Sequence, residues 1–419
     1  MIRPLGLRDF RFLWAGMTVS LVGDGAFLVA LAWQVYELSN APTALSIVGV
    51  AASLPHVLFL ALGGVTSDRL DRRRVMVAAD CVRGLVLVAM GALALAGTIR
   101  LWHVVLLTAV YGGATAFFGP AFDAIVPELV PADLLAEANA LDQFVRPATF
   151  RLAGPAIAGW VIALGGTGSA FLFDAATFAV SAVCVLLMRA RPGIPVSEEG
   201  ASALEEVREG FRFVRSRVWL WGTFAAAAIA YLLFMGPTEV LLPYVVKHQL
   251  GGGPAALGFV FAMGGLGAIA GALVMGQRGL PRRHITFMYV TWTLATLAVA
   301  GYGLARFTWQ AMAAGFVFNC LETAGTVVWA TTKHRLVPSA FLGRVSSFDW
   351  MISIGLVPIS FAITGPVAAA IGARATLVGA GVLGAAVTLA ALFLPGMRRI
   401  EEEGLLFAPD APLVAVGPD

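Results

Sequence analysis

The chain is a succession of apolar runs, each about 20 residues or longer, separated by short polar breaks. Coiled as a helix, a run of that length spans a hydrocarbon core of about 30 Å. Backbone groups in lipid must be bonded within the segment or in a closed barrel, and the two-residue alternation of a barrel strand is missing, so the runs read as helices. Twelve are expected, at 12–36, 43–66, 75–97, 102–122, 139–164, 168–189, 219–246, 254–276, 284–304, 308–332, 344–371 and 375–395. The expected fold class is an all-α integral membrane protein. With 59% hydrophobic and 13% charged residues, the composition excludes an ordinary soluble domain.

Basic residues give the orientation. With the N-terminus in the cytoplasm, 21 of the 28 Lys and Arg residues fall on cytoplasmic segments and four, Arg100, Lys247, Arg306 and Arg374, on outer loops. The positive-inside rule therefore predicts both termini in the cytoplasm, and the basic loops report topology rather than nucleic-acid binding. The first span is too long for a signal-peptide core and is expected to stay as an anchor. Cys81, Cys184 and Cys320 are scattered over separate spans, which offers neither a disulfide framework nor a metal site.

The two halves repeat. Leu129, Val130, Pro131, Leu135 and Asp142 recur as Leu336, Val337, Pro338, Leu342 and Asp349, and the Gly154-Pro155 pair recurs as Gly365-Pro366. The expected architecture is thus two pseudo-symmetric six-helix bundles, at 1–190 and 219–396. Between them, 191–218 reads as a cytoplasmic linker whose Leu204, Val207, Phe211 and Val214 make one apolar helix face for the inner membrane surface. The tail, 397–419, is expected to be disordered.

Between the second and third spans stand Gly64, Asp68, Arg69, Arg72 and Arg73. With twelve duplicated spans, this pattern resembles the major facilitator superfamily, whose signature there is G-x-x-x-D-R-x-G-R-R; Asp71 replaces the second glycine. Gly154, Pro155 and Gly159 are similar to the fifth-helix motif of that superfamily's drug antiporters. The stretches "SLVGD" at Ser20, "AADCVRG" at Ala78 and "LVPADLLAEANAL" at Leu129 are similar to the exporter branch that includes macrolide efflux proteins and the enterobactin exporter. The resemblance implies that the first, fourth, seventh and tenth helices line a central cavity. It also implies that Asp68 latches onto the eleventh helix near Gly343 to Ser347 and that Arg72 pairs with Asp123. The fourth-span arginine of many proton-coupled antiporters is missing, since no basic residue occurs from Leu106 to Pro120.

An ionisable side chain at mid-membrane is costly and therefore a functional candidate. Asp24, Glu239 and Glu322 fall on the implied cavity helices and are candidates for proton coupling or substrate contact. Arg151 joins them, because no acid lies three or four residues away and its partner must come from elsewhere. Asp174, the Asp80–Arg83 pair and the Asp142–Arg146 pair read as structural, the two pairs near the cytoplasmic face. Ser20 and Gln34 share a polar stripe with Asp24, as Asn319, Thr323 and Thr326 do with Glu322. Tyr111, Phe117, Tyr231 and Trp329 are aromatic cavity candidates.

No P-loop, metal set or nucleophile with its base is present, so an enzyme is not expected and no cofactor is implied. The expected function is export of amphipathic small molecules, drug, antibiotic or siderophore-like, by proton antiport and alternating access. The partners are substrate, protons and lipid, with the chain acting as a monomer in the bacterial inner membrane. Uptake symport, or a non-transporting sensor on the same fold, are the rival readings.

Overall fold

The computed structural model describes residues 3–131, 134–189, 203–404 and 406; the side chain of Asp68 lies outside this set. Every regular element is helical: α1 (Arg8–Leu38), α2 (Pro42–Arg69), α3 (Arg72–Leu95), α4 (Leu101–Leu129), α5 (Leu135–Arg146), α6 (Gly154–Leu186), α7 (Ala203–Arg215), α8 (Val218–Gly236), α9 (Leu242–Tyr244), α10 (Pro254–Arg278), α11 (His284–Leu304), α12 (Thr308–Leu336), α13 (Ser339–Gly355), α14 (Val357–Ile371), α15 (Ala373–Leu392) and α16 (Arg399–Glu402). Wider π turns, each opened by a proline or its neighbourhood, join some of these into single rods: Pro147–Ala153 between α5 and α6, and Pro237–Leu241 and Val245–Gln249 on either side of α9. Among the described residues, 11 helical segments are long and apolar enough to cross a membrane. Large apolar side chains such as Leu58, Leu85, Trp160, Leu164 and Trp350 face outward, as a lipid-facing surface requires.

One of those segments, Phe144–Leu186, has 43 residues. A straight helix of that length would be about 65 Å long, twice the hydrocarbon core. It is not straight. Gly166, at φ 76° and ψ 175°, takes a conformation that glycine adopts at no steric cost and folds the chain back on itself. The neighbours of α1 show the reversal, because a Cβ on Gly25 would meet Phe150, Gly154 and Pro155, while one on Gly23 would meet Asp174 and Thr177. The two limbs of α6 therefore lie side by side along α1.

The first half packs α1 on α6, α2 on α4, and α3 on both α4 and α6; the second packs α10 and α11 on α12, and α15 on α8 and α11. Contact between the halves is concentrated on two helix pairs, α2 with α14 and α6 with α10. Both seams depend on small residues. A Cβ on Gly258 would fall 2.4 Å from the Pro155 carbonyl oxygen, one on Gly265 2.5 Å from the Arg151 carbonyl carbon, and one on Gly159 2.8 Å from Ala255 Cα. On the other seam Gly365 sits against Thr43 and Ser46, and Gly49 against the ring of Phe361.

The linker helix is held by the second half. In α7, which packs on α13, Phe213 stacks on Phe341 with ring centroids 4.6 Å apart, and Arg344 binds Glu209 at 2.8 Å. Val214 is buried as expected, Phe211 is exposed, and the side chains of Leu204 and Val207 lie outside the described residues, as does 190–202. The start of the tail is ordered, too. Ile400 is buried, and Glu401 accepts hydrogen bonds from the main-chain and side-chain donors of Thr286 at 2.9 and 2.8 Å. Residues 407–419 lie outside the described set.

Candidate functional site

Three groups of polar side chains occupy the middle of the molecule. The first is in the N-terminal half, where Asp24 of α1 accepts a hydrogen bond from the Tyr111 hydroxyl of α4. Tyr111 is held by Phe27, whose ring stacks on it at 4.6 Å. Behind them Asp80 and Arg83 of α3 form a buried ion pair, with the guanidinium over Phe118 at 4.6 Å and Phe178 at 4.2 Å. Asp174 of α6 is fully buried; one oxygen accepts from Thr177 at 3.0 Å and the other has no hydrogen-bond partner. Asp24, Asp80, Asp174 and Arg83 act on one another electrostatically. Asp80, Arg83 and Asp174, read from the sequence as structural, thus belong to one buried group with Asp24. The signal was present in the sequence, since each lies well inside its own helix, but only the packing of α6 against both α1 and α3 brings them together.

The second group bridges the halves. Arg151, in the π turn before α6, donates to the Asn319 side-chain oxygen of α12 at 2.6 Å. Glu239 lies in the corresponding π turn after α8, with Arg151 and Tyr302 as its electrostatic neighbours. A π turn widens the helix by one residue and is often found at functional positions; here two of them aim opposite charges at one seam. Arg151 is exposed although it lies deep in the rod.

The third group is in the C-terminal half, where Glu322 accepts from Thr326 at 3.0 Å. It lines a small cavity of about 60 Å³ with Tyr231, Phe234, Trp292 and Phe318. Thr326 is exposed and Thr323 half-buried on the same helix.

Other candidates are placed elsewhere. Ser20 is buried and bonds to the Met17 carbonyl, and Gln34 is buried and accepts from Thr167; neither reaches the Asp24 pair. Trp329 is buried in the core of the second half against Trp219 and Phe224, its indole N–H donating to Asp349 at 3.0 Å, which Lys333 also binds at 2.7 Å. Phe117 lines a groove between α2, α3 and α4.

The α2–α3 turn departs from the resemblance at two points. Arg72 does not pair with Asp123; it binds Glu128 and the Ala124 carbonyl, one turn further along α4. Glu128 reaches it because it follows Ala124 by four residues on the same face, and Asp123 is left exposed. Close helix approach belongs to Gly63, whose Cβ would lie 2.2 Å from the Ala116 carbonyl oxygen, whereas a Cβ on Gly64 would meet nothing within 4 Å. Asp71 caps α3: its side chain accepts from the Arg73 amide at 3.0 Å. Arg73 donates to the Leu186 carbonyl at 2.8 Å, Arg74 sits 3.6 Å from Asp71, and Arg69 is exposed. In the fifth-helix motif, Gly154 packs on Val22 and Gly25 of α1, while Pro155 and Gly159 form the seam with α10.

The halves also meet at the end that carries the 38–42 turn. There the Tyr36 hydroxyl donates to the Val240 carbonyl at 2.7 Å, and Lys247 donates to the Tyr36 carbonyl at 2.6 Å while lying over the Trp33 ring.

Residues 1–415 match the transmembrane secretion effector family. The chain is similar to "Macrolide efflux protein A" of Streptococcus pyogenes, 22% identical over 94% of this chain and 97% of that protein. It is also similar to "Multidrug efflux pump Tap" of Mycolicibacterium fortuitum, 28% identical over 95% and 97%. Its fold is that of a solved bacterial homologue of the iron transporter ferroportin in an inward-facing state, with a TM-score of 0.68, 15% identity, and coverage of 92% of this chain and 99% of that one. The chain therefore belongs to the transmembrane secretion effector family of the major facilitator superfamily, and is a multi-pass transporter of the bacterial cell membrane rather than an enzyme.

Proposed function

We propose that the protein exports amphipathic small molecules, of the drug, antibiotic or siderophore-like kind, in exchange for protons, by alternating access. The observation that carries this reading is the asymmetry of the contact between the halves. Hydrogen bonds and close approaches join them from the 38–42 end down to Arg151 and Asn319, whereas Arg151, Thr326 and Asp123 are exposed toward the opposite end. The excess of Arg at that opposite end supports a cytoplasmic assignment for it, so the cleft opens inward. The fold-back at Gly166 supports twelve crossings with both termini inside.

In this reading Asp24, with Asp174 and the Asp80–Arg83 pair behind it, carries the proton, because an apolar surrounding favours the neutral form of a carboxyl. Glu322, Glu239 and Arg151 face the substrate path, and Asp68 latches α2 to α13 when the cleft closes inside. The membrane potential contributes about 2.3 kcal/mol per charge for each 100 mV, roughly a fiftyfold gradient per proton. The chain works as a monomer and needs no cofactor. Efflux measured in energised inverted vesicles should stop on adding a protonophore and in Asp24→Asn; transport that persists unchanged in both sinks the proton-driven reading.

A further inference from the structure

With Arg72 committed to Glu128, Asp123 is left at the edge of a cavity of about 340 Å³ between α1, α4 and α5. Phe10, Trp14, Met17 and Phe122 supply its aromatic and thioether walls. The charged groups that act on Asp123 are Arg146 and Asp142, and these two are bound to each other, the Arg146 Nε donating to both Asp142 oxygens at 2.7 and 2.9 Å. Arg146 also lies over the Phe122 ring at 5.6 Å and 4.0 Å from the Met17 sulfur, so its position is fixed. The pair is neutral as a unit. Asp123 makes no ion pair among the described residues, which leaves the pocket with one uncompensated negative charge amid apolar and π surface.

The pocket lies on the same helix faces as the Asp24 site. On α1, Phe10, Leu13, Trp14 and Met17 recur at three- and four-residue spacing, and Asp24 follows Met17 by two turns, so they share one face. On α4, Phe122 follows Tyr111 by 11 residues, close to three whole turns. The two faces that hold the Asp24–Tyr111 pair therefore descend directly to this pocket, at a distance of about 10–16 Å. A cavity of this size is in the range that takes a drug-sized molecule. Two carboxylates line the pocket, Asp123 and the Arg146-bound Asp142, and aromatic faces with one carboxylate left unpaired favour a cation over a neutral or anionic guest.

We propose that this pocket is a loading site for a lipophilic monocation, such as a protonated tertiary amine on an apolar body, with Asp123 as its charge-recognition residue and Trp14 and Phe122 as its π walls. The proposal rests on the exporter reading, because the pocket lies at the end assigned to the cytoplasm. It names the substrate class as organic cations.

The test is direct binding of tetraphenylphosphonium, whose charge is permanent, to the full-length purified protein in nanodiscs without a gradient. Asp123→Asn should weaken binding about tenfold, the loss of one partly desolvated charge contact, while Asp123→Glu should retain it. Triphenylphosphine oxide, which is neutral, should bind more weakly than the cation, and tetraphenylborate, assayed by itself because it precipitates with the cation, should not bind. Unchanged affinity in an Asp123→Asn protein of unchanged thermal unfolding overturns the proposal. So does binding of tetraphenylborate alone as tightly as the cation, or displacement of the cation by phosphatidylglycerol, which would make the pocket an apolar or anion-binding lipid site. Because binding needs no gradient, a wild-type protein that exports but does not bind tetraphenylphosphonium removes only the pocket, whereas one that binds it without exporting removes only the transport reading.

Discussion

Asp71 stands where the superfamily signature has glycine, and its side chain caps α3 through the Arg73 amide. A cap of this kind contributes about 1 kcal/mol against alanine and only a few tenths against glycine. Asp71→Ala should therefore lower stability by about 1 kcal/mol and Asp71→Gly by much less, read by thermal unfolding in detergent. Asp24 carries the larger prediction. Tyr111→Phe removes its hydrogen bond and should slow proton-driven efflux by about ten- to a hundredfold, the usual range for a hydrogen bond to a charged group, with little change in folding. Asp24, Glu322 and Arg151 were legible in the sequence because a lone charge in an apolar helix stands out. Their partners were not. Asp174 and Arg83 join Asp24 only because α6 packs on both α1 and α3, and Glu128 displaces Asp123 as the partner of Arg72 through one turn of α4, neither of which leaves a mark in spacing.

At the scale of the element, the helices were legible because run length and the absence of alternation settle their type, and the reversal at Gly166 falls between the expected spans 139–164 and 168–189. The seam of α6 and α10 has a clear test. Gly258→Val places side-chain atoms against the Pro155 carbonyl, and overpacking of this kind costs about 1–3 kcal/mol. That is roughly a five- to hundredfold shift in population. Spin labels placed across the seam should move apart, and export should fall, in a protein that still folds; unchanged distances would show that the seam yields elsewhere. The linker was half legible: its amphipathic period predicts the helix α7, but the apolar surface that receives it, Phe341 and Phe348 of α13, belongs to a distant part of the chain.

At the scale of the whole molecule, the duplication announced two halves, and Asp142 and its repeat Asp349 each bind a basic side chain, Arg146 and Lys333. Which end is open was not in the sequence, because it is a property of how the halves are tilted. Thr326→Cys, introduced after the native cysteines are replaced, should react with a membrane-impermeant maleimide applied from the cytoplasmic face and be protected from the outer face. Labelling from the outside alone would reverse the assignment.

Gly166 also has a mechanical consequence. One limb of α6 holds Pro155 and Gly159 against α10, the other holds Asp174 behind Asp24, and a single residue joins them. A joint that short has no slack. Because both limbs also pack along α1, a displacement that parts the halves along α10 should reach the helix bearing Asp174, and a double-mutant cycle of Gly258 with Asp174 would read that coupling.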